Sequence, residues 1–237
     1  MHLYQYLLTE KKLSKKAIHQ LIKSNVICIN GKIATDDKIE VDGLLHQLSI
    51  RGENCGLTQH YYYMLNKPQG LISATQDKSL PTVCDQFSEK IWPIGRLDRN
   101  TEGLLLLTDN GQLSFRLPMP QYKVEKTYRV KVNGLLTSKE IEQFACGIEF
   151  YSGICCAPAK LEIIYANQNE SEAWVTITEG KFHQVKKMFL AVNLYVTYLQ
   201  RIQYGPLKLD HNLQPGEFRA LSIEEVKMLW DCAQLQY

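Results

Sequence analysis

Residues 104 to 107 are four consecutive leucines, bounded by Gly103 on one side and by Thr108-Asp109-Asn110-Gly111 on the other. The run is too short to span a membrane and reads as a strand buried on both faces of a sheet. With 237 residues, 45% of them hydrophobic and 22% charged, the chain can hold one sizeable core around that strand plus a small appendage.

The strand is entered through Gly95-Arg96-Leu97-Asp98-Arg99-Asn100-Thr101-Glu102-Gly103, which sets one carboxylate between two arginines in a loop at the edge of the core. If Arg96 and Asp98 lie on extended backbone, their side chains project to the same side, and the guanidinium favours the ionised carboxylate. An Asx-turn or a backbone cap is the competing reading of a lone loop aspartate, and the loop alone leaves it ahead.

The net charge of +2 understates local basicity. Between residues 11 and 35 stand six lysines, Lys11, Lys12, Lys15, Lys16, Lys23 and Lys32, and no acid; a second acid-free stretch, 180 to 209, carries Lys181, Lys186, Lys187, Arg201 and Lys208. Such clusters form a footprint for a polyanion, with a solvated helix face as the alternative. The seven cysteines are scattered and include no C-x-x-C pair, so they are expected as reduced thiols in a cytosolic protein. Neither a signal peptide nor a membrane helix is expected.

The chain divides near residue 58. Leu3, Tyr6 and Leu7, then Leu13, Ala17, Leu21 and Ile22, follow helical spacing, with Ser14 placed to cap the second helix. Alternation begins at Val26, and Asn30-Gly31 is a hairpin signal. Residues 44 to 60, with Gly52, Asn54 and Gly56, read as the end of this module and a linker.

The larger part opens with Tyr61-Tyr62-Tyr63-Met64-Leu65-Asn66-Lys67-Pro68-Gln69-Gly70, a strand stopped by a proline turn. From Thr127 the chain alternates Tyr128, Val130 and Val132 against Arg129 and Lys131, the pattern of a half-buried strand with Tyr128 turned inward. In Gly180-Lys181-Phe182-His183-Gln184-Val185-Lys186-Lys187-Met188-Phe189, a glycine precedes an amphipathic run. Val226, Leu229, Trp230 and Ala233 read as a closing helix within residues 222 to 235. Taken singly, these are a core tyrosine, turn chemistry and a surface helix.

Together they resemble a known family. Gly-Arg-Leu-Asp, Thr101 three residues on, and Gly-Leu-Leu-Leu-Leu-Thr resemble the catalytic motif of the ribosomal small-subunit pseudouridine synthases. Asn-Lys-Pro-x-Gly before it, and Glu-Lys-Thr-Tyr and His-Gln-Val-Lys-Lys-Met after it, complete the family's order. Residues 1 to 58 resemble an S4 RNA-binding domain, which usually has arginine where Lys15 or Lys16 stands. The resemblance implies an α+β protein: an S4-like domain over 1–58, then a catalytic domain over 59–237 built on a mostly antiparallel mixed sheet with flanking helices.

It further implies that the chain isomerises a uridine of rRNA to pseudouridine, uridine 516 of 16S rRNA in the branch most similar to these motifs. Asp98 is the implied catalytic carboxylate, Tyr128 the ring that stacks on uracil, and Lys186 the cation paired with Asp98. Arg96, Asn66, Lys67, Lys181, His183 and Gln184 are the implied substrate contacts; Lys11, Lys12, Lys15, Lys16 and Lys23 would meet RNA phosphates. The isomerisation exchanges no electrons, water or phosphate, so neither a metal nor another cofactor is expected. The implied partner is rRNA or a ribosomal assembly intermediate, met by a cytoplasmic monomer.

Three other readings stay open. One is a large-subunit 23S rRNA synthase, and one is an RNA-binding assembly factor without catalysis. The third is a glycosidase or nucleosidase, which would need a second carboxylate, with Glu102 and Asp109 as the near candidates.

Overall fold

A computed structural model of the chain describes residues 1–236. Tyr237, the last residue of the larger unit expected from the sequence, lies outside them.

The first residues build a small helix-and-sheet unit with its own core. Helices α1 (Leu3–Thr9) and α2 (Lys15–Lys23) pack Leu3, Tyr6, Leu7 and Ile18 against Ile27 and Leu48 of the sheet. The Ser14 side chain accepts from the Ala17 N–H at 3.2 Å and so caps α2. Strands β1 (Ile27–Ile29) and β2 (Lys32–Ile33) join through Asn30 and Gly31, both at positive φ (48° and 77°), the backbone a two-residue hairpin turn requires.

Residues 44 to 60, expected as the end of the module and a linker, contribute two strands to it, β3 (Leu48–Ile50) and β4 (Glu53–Cys55), joined by a second positive-φ pair, Arg51 and Gly52. The sheet order is β2-β1-β3-β4, antiparallel throughout. Strands of three residues are too short to register as alternation, and the glycine that suggested a linker forms the turn between them.

The larger unit comprises β5 (Tyr62–Lys67), β6 (Trp92–Pro93), β7 (Glu102–Thr108), α3 (Gly111–Arg116), β8 (Lys126–Asn133), α4 (Ser138–Cys146), β9 (Lys160–Ala166), β10 (Glu170–Ile177), α5 (Gln184–Ala191), β11 (Val196–Tyr204), β12 (Leu207–Lys208), β13 (Phe218–Ala220) and α6 (Ile223–Cys232). Among the described residues nine strands form one sheet, ordered β13-β5-β7-β11-β8-β10-β9, with β6 beside β7 and β12 beside β11. Every pairing is antiparallel except β7 with β11, which run parallel. The fold is α+β on a mixed, mostly antiparallel sheet.

The leucine run explains itself in this frame. Side chains alternate along β7, so Leu105 and Leu107 enter a core with Val130, Phe144, Met188 and Phe189, beneath α4 and α5. Leu104 and Leu106 enter a second core on the other face, with Leu113, Val226, Leu229 and Trp230 from α3 and α6. Helix α6 starts at a capping box in which Ser222 and Glu225 satisfy each other's backbone N–H groups.

A polar link fastens the small unit to the large one. The Tyr62 hydroxyl donates to the Asp42 carboxylate and accepts from Asn110 Nδ2 at 2.8 Å, and Asn110 Oδ1 caps α3 at Leu113 N–H. Among the described residues no helix is long and apolar enough to cross a membrane.

Candidate active site

The loop before β7 is held from below by the turn that ends β5. Lys67 is fully buried, and its ammonium donates to the carbonyls of Pro68 (2.9 Å), Thr101 (2.9 Å) and Arg99 (3.3 Å). Burial pulls its pKa down to about 8. Gly70 N–H donates to the Arg99 carbonyl at 2.9 Å, and Arg99 Nε returns a bond to the Gly70 carbonyl at 3.1 Å. From the side, Ser73 Oγ donates to the Leu97 carbonyl (2.9 Å) and accepts from its N–H (3.0 Å). Thr101 N–H closes a turn on the Asp98 carbonyl at 3.0 Å.

Asn66 is buried as well, its amide donating to the Leu213 carbonyl at 2.8 Å. Asn66 and Lys67, expected as substrate contacts, are therefore framework: they close a strand flanked by β7 and β13, and their side-chain nitrogens serve backbone carbonyls, while Asn66 Oδ1 is buried without a partner among the described residues. They fix where Asp98 stands, and neither lines the cavity around it.

A single register row crosses the sheet and gathers the separate segments. Lys67 of β5 pairs with Gly103 of β7, Gly103 with Arg201 of β11, Arg201 with Tyr128 of β8, and Tyr128 with Val175 of β10. At the parallel seam β7 and β11 share only two pairs, Gln200 with Glu102 and Arg201 with Gly103. Gly103 has φ of 99°, and a Cβ there would lie 2.2 Å from the Arg201 carbonyl oxygen, so the motif needs glycine both for conformation and for space.

Arg201 is 2% exposed, with Nε on the Leu104 carbonyl at 2.7 Å and its guanidinium 4.9 Å from the Tyr204 ring. Although the second basic stretch includes it, it takes no part in any surface footprint.

The other wall comes from the turn into α5. Glu179 accepts from the Ala157 N–H (3.0 Å), from Gln184 Nε2 (2.7 Å) and from the Lys181 ammonium. Burial pushes its carboxyl upward, but these donors outweigh it and the pKa falls below the usual value. Lys181 N–H reaches Gln184 Oε1 at 2.8 Å, closing the turn. Gln184 (3% exposed) and Lys181, expected as substrate contacts, are tied to Glu179, and both also line the cavity around Asp98.

The brace holds His183 at φ 54°, a left-handed conformation uncommon outside glycine, at the N-cap of α5. His183 Nε2 then lies 3.4 Å from Asp98 Oδ1, and Lys186 Nζ, one turn into the helix, lies 2.8 Å from Asp98 Oδ2.

Asp98, Lys186, His183 and Tyr128 line one cavity of about 70 Å³, with Leu97, Ile177, Val185 and Leu199 as its apolar wall. Tyr128 is 7% exposed and makes no hydrogen bond through its hydroxyl to the described residues. The Thr101 hydroxyl, buried beside Asp98, also lacks a protein partner. The Asp98 side chain caps no backbone; its neighbours are the Lys186 ammonium and the His183 imidazole, which excludes the Asx-turn reading.

Arg96 lines the same cavity but is exposed and forms no ion pair with Asp98, so the pairing rests with Lys186, the cation the resemblance implied. Asp98 is the one acidic residue among those lining the cavity. Glu102 accepts from the Tyr198 hydroxyl at 2.8 Å, and Asp109 binds the Tyr61 N–H (2.7 Å) and His60 Nδ1 (3.2 Å). Neither candidate for a second carboxylate reaches the site.

Lys11, Lys12, Lys15, Lys16 and Lys23 are all exposed on the small unit. Ser73 and Glu179 carry structural roles that the sequence reading missed; for Glu179 the available signal was an acid directly preceding a long acid-free stretch.

Comparison with known proteins gives four findings. The description of a family called RNA pseudouridylate synthase matches residues 61–191. The chain is 39% identical over 221 residues to a Bacillus subtilis protein named as an uncharacterized RNA pseudouridine synthase, covering 91% of this chain and 92% of that one. It is 36% identical to the Escherichia coli ribosomal small subunit pseudouridine synthase A, over 95% of this chain and 98% of the relative. A crystal structure of a pseudouridylate synthase superposes with a TM-score of 0.68 at 32% identity, over 97% of this chain and 99% of the other.

Proposed function

The chain belongs to the RNA pseudouridylate synthase family, and from that premise we propose that it converts uridine 516 of 16S rRNA to pseudouridine with Asp98 as its catalytic group. The observation that carries the catalytic part is the isolation of Asp98: one carboxylate, paired with Lys186 at 2.8 Å, in a cavity walled by Tyr128 and aliphatic side chains.

The chemistry suits one carboxylate. The N1–C1′ bond breaks, uracil turns without leaving, C5 joins C1′, and the C5 proton is given up while N1 gains one. Retaining glycosidases place two carboxyl groups about 5 to 5.5 Å apart because one must protonate a departing group. Here nothing departs, so Asp98 has only the ribose to act on, as nucleophile at C1′ or as base at the 2′ position. Lys186 stabilises the carboxylate and orients it. Tyr128 offers its ring to the loosened uracil, the general way an unstacked RNA base is held.

The small-subunit target is supported by full-length similarity to a relative named for that subunit. The N-terminal unit, resembling an S4 domain, is assigned to RNA. Lys15 and Lys16 stand in the first turn of α2, which contains no acid, where the helix dipole disfavours cations. Phosphates would relieve that opposition. We assign the protein to the cytoplasm as a monomer acting on rRNA or an assembly intermediate.

The decisive experiment incubates wild type and Asp98→Asn with unmodified 16S and 23S rRNA and maps pseudouridine by chemical modification and primer extension. The expected result is modification at uridine 516 by wild type and a loss of more than about 1,000-fold in Asp98→Asn, on the order of 4 kcal/mol or more of barrier. An Asn variant as fast as wild type would exclude the catalytic role. Modification confined to 23S rRNA would retain the activity and reject the target.

A further inference from the structure

Phe182 is 68% exposed, although it stands between Lys181 and His183, both of which line the Asp98 cavity. Its ring lies on the His183 imidazole, centroids 3.8 Å apart and planes at 21°, and the Lys187 ammonium is 5.0 Å from its centroid. The phenyl group enters neither core. An exposed apolar ring of this size gains nothing from water, yet here its pose is set by three constraints: the left-handed backbone at His183, the Glu179 brace beneath Lys181, and the adjacent imidazole.

We infer that Phe182, seated on His183, is a stacking ledge for a nucleobase next to the target uridine. The inference rests on the reading of this cavity as the site of RNA pseudouridylation. For a uridine to reach Asp98 it must leave the base stack, and that exposes a face of each neighbouring base. A flat ring fixed at the cavity rim replaces the lost stacking partner, while Lys187 supplies charge to the nearby backbone. The chemistry recognised is a planar base, with no hydrogen-bond readout of its identity. The ledge therefore favours an unstacked strand over a particular letter.

The test compares wild type, Phe182→Ala and Phe182→Tyr on an RNA fragment containing uridine 516, and on copies of it with an abasic nucleotide at either neighbour. Phe182→Ala is expected to lower kcat/KM about tenfold on intact RNA, mostly through KM, and Phe182→Tyr to restore it. On the RNA abasic at the contacted neighbour, wild type and Phe182→Ala should become equal. With 2-aminopurine at that neighbour, wild type and Phe182→Tyr should quench its fluorescence on binding and Phe182→Ala should not.

Equal turnover of wild type and Phe182→Ala on intact RNA, or a penalty that persists on both abasic RNAs, would overturn the ledge while leaving the activity standing. Absence of pseudouridine formation by wild type on any rRNA would overturn the underlying function, and the ledge with it.

Discussion

At the scale of single residues, the site turns on the lysine paired with Asp98. Lys186 meets Asp98 with one ammonium at 2.8 Å, and His183 stands 3.4 Å from the other carboxylate oxygen. A planar guanidinium would offer two parallel donors; here a lysine and a histidine divide the two oxygens between them. Lys186→Arg should keep activity within about tenfold, whereas Lys186→Ala should lose about 100-fold, a difference on the order of 1.4 kcal/mol in barrier. Single-turnover pseudouridine formation measures both. The identity of Lys186 was legible in the sequence only through the motif around it. Nothing local predicted that Arg96, two residues from Asp98, would turn to solvent and leave the pairing to a residue 88 positions away.

At the scale of elements, what could be read from the sequence was whatever repeats within one element. The leucine strand, the Tyr128 alternation, the Asn30-Gly31 hairpin and the closing helix all follow from local period and turn chemistry. The small sheet's second hairpin was missed because its strands hold three residues each. The register row from Lys67 to Val175 was invisible, since it exists only once five strands are paired. Lys126 shows the same gap: it alternates in phase with Tyr128 and is buried, with its ammonium on the Val124 carbonyl (2.9 Å) and 5.2 Å from the Tyr204 ring. A lysine in an apolar phase is easily read as outward.

The seam of β7 and β11 makes the strongest prediction at this scale. Gly103→Ala must either push the Arg201 carbonyl aside or abandon a φ of 99°, so it should destabilise the protein by on the order of 3 kcal/mol. A lower urea midpoint checks this; an unchanged midpoint would mean the seam is slack.

At the scale of the whole molecule, buried cations set how stability varies with pH. Burial lowers the pKa of Lys126 to about 8, with Arg201 adding to the effect, against 10.5 for the free side chain. Between those values the unfolded chain binds more protons than the folded one, so stability rises with pH across the window. Below about 8 the full cost of the buried charge is present. Lys126→Met should therefore be more stable than wild type near pH 7, by on the order of 2 kcal/mol, with the gap closing toward pH 10. Urea unfolding at pH 7 and 9.5 reads the difference; a gap that widens with pH would reverse the argument. The exposed lysines act at the same scale on RNA. Replacing both Lys15 and Lys16 by alanine should flatten the dependence of log affinity on log salt by about 1.4 to 2 while leaving single-turnover chemistry intact, as salt-dependent binding titrations would report. One consequence of the leucine strand reaches the entire larger unit. Alternate side chains of β7 belong to different cores, so neither core can loosen without stripping contacts from the strand that also anchors the other. The two cores should therefore open as one cooperative unit, and hydrogen exchange of the backbone amides along β7 should require unfolding of the whole larger unit.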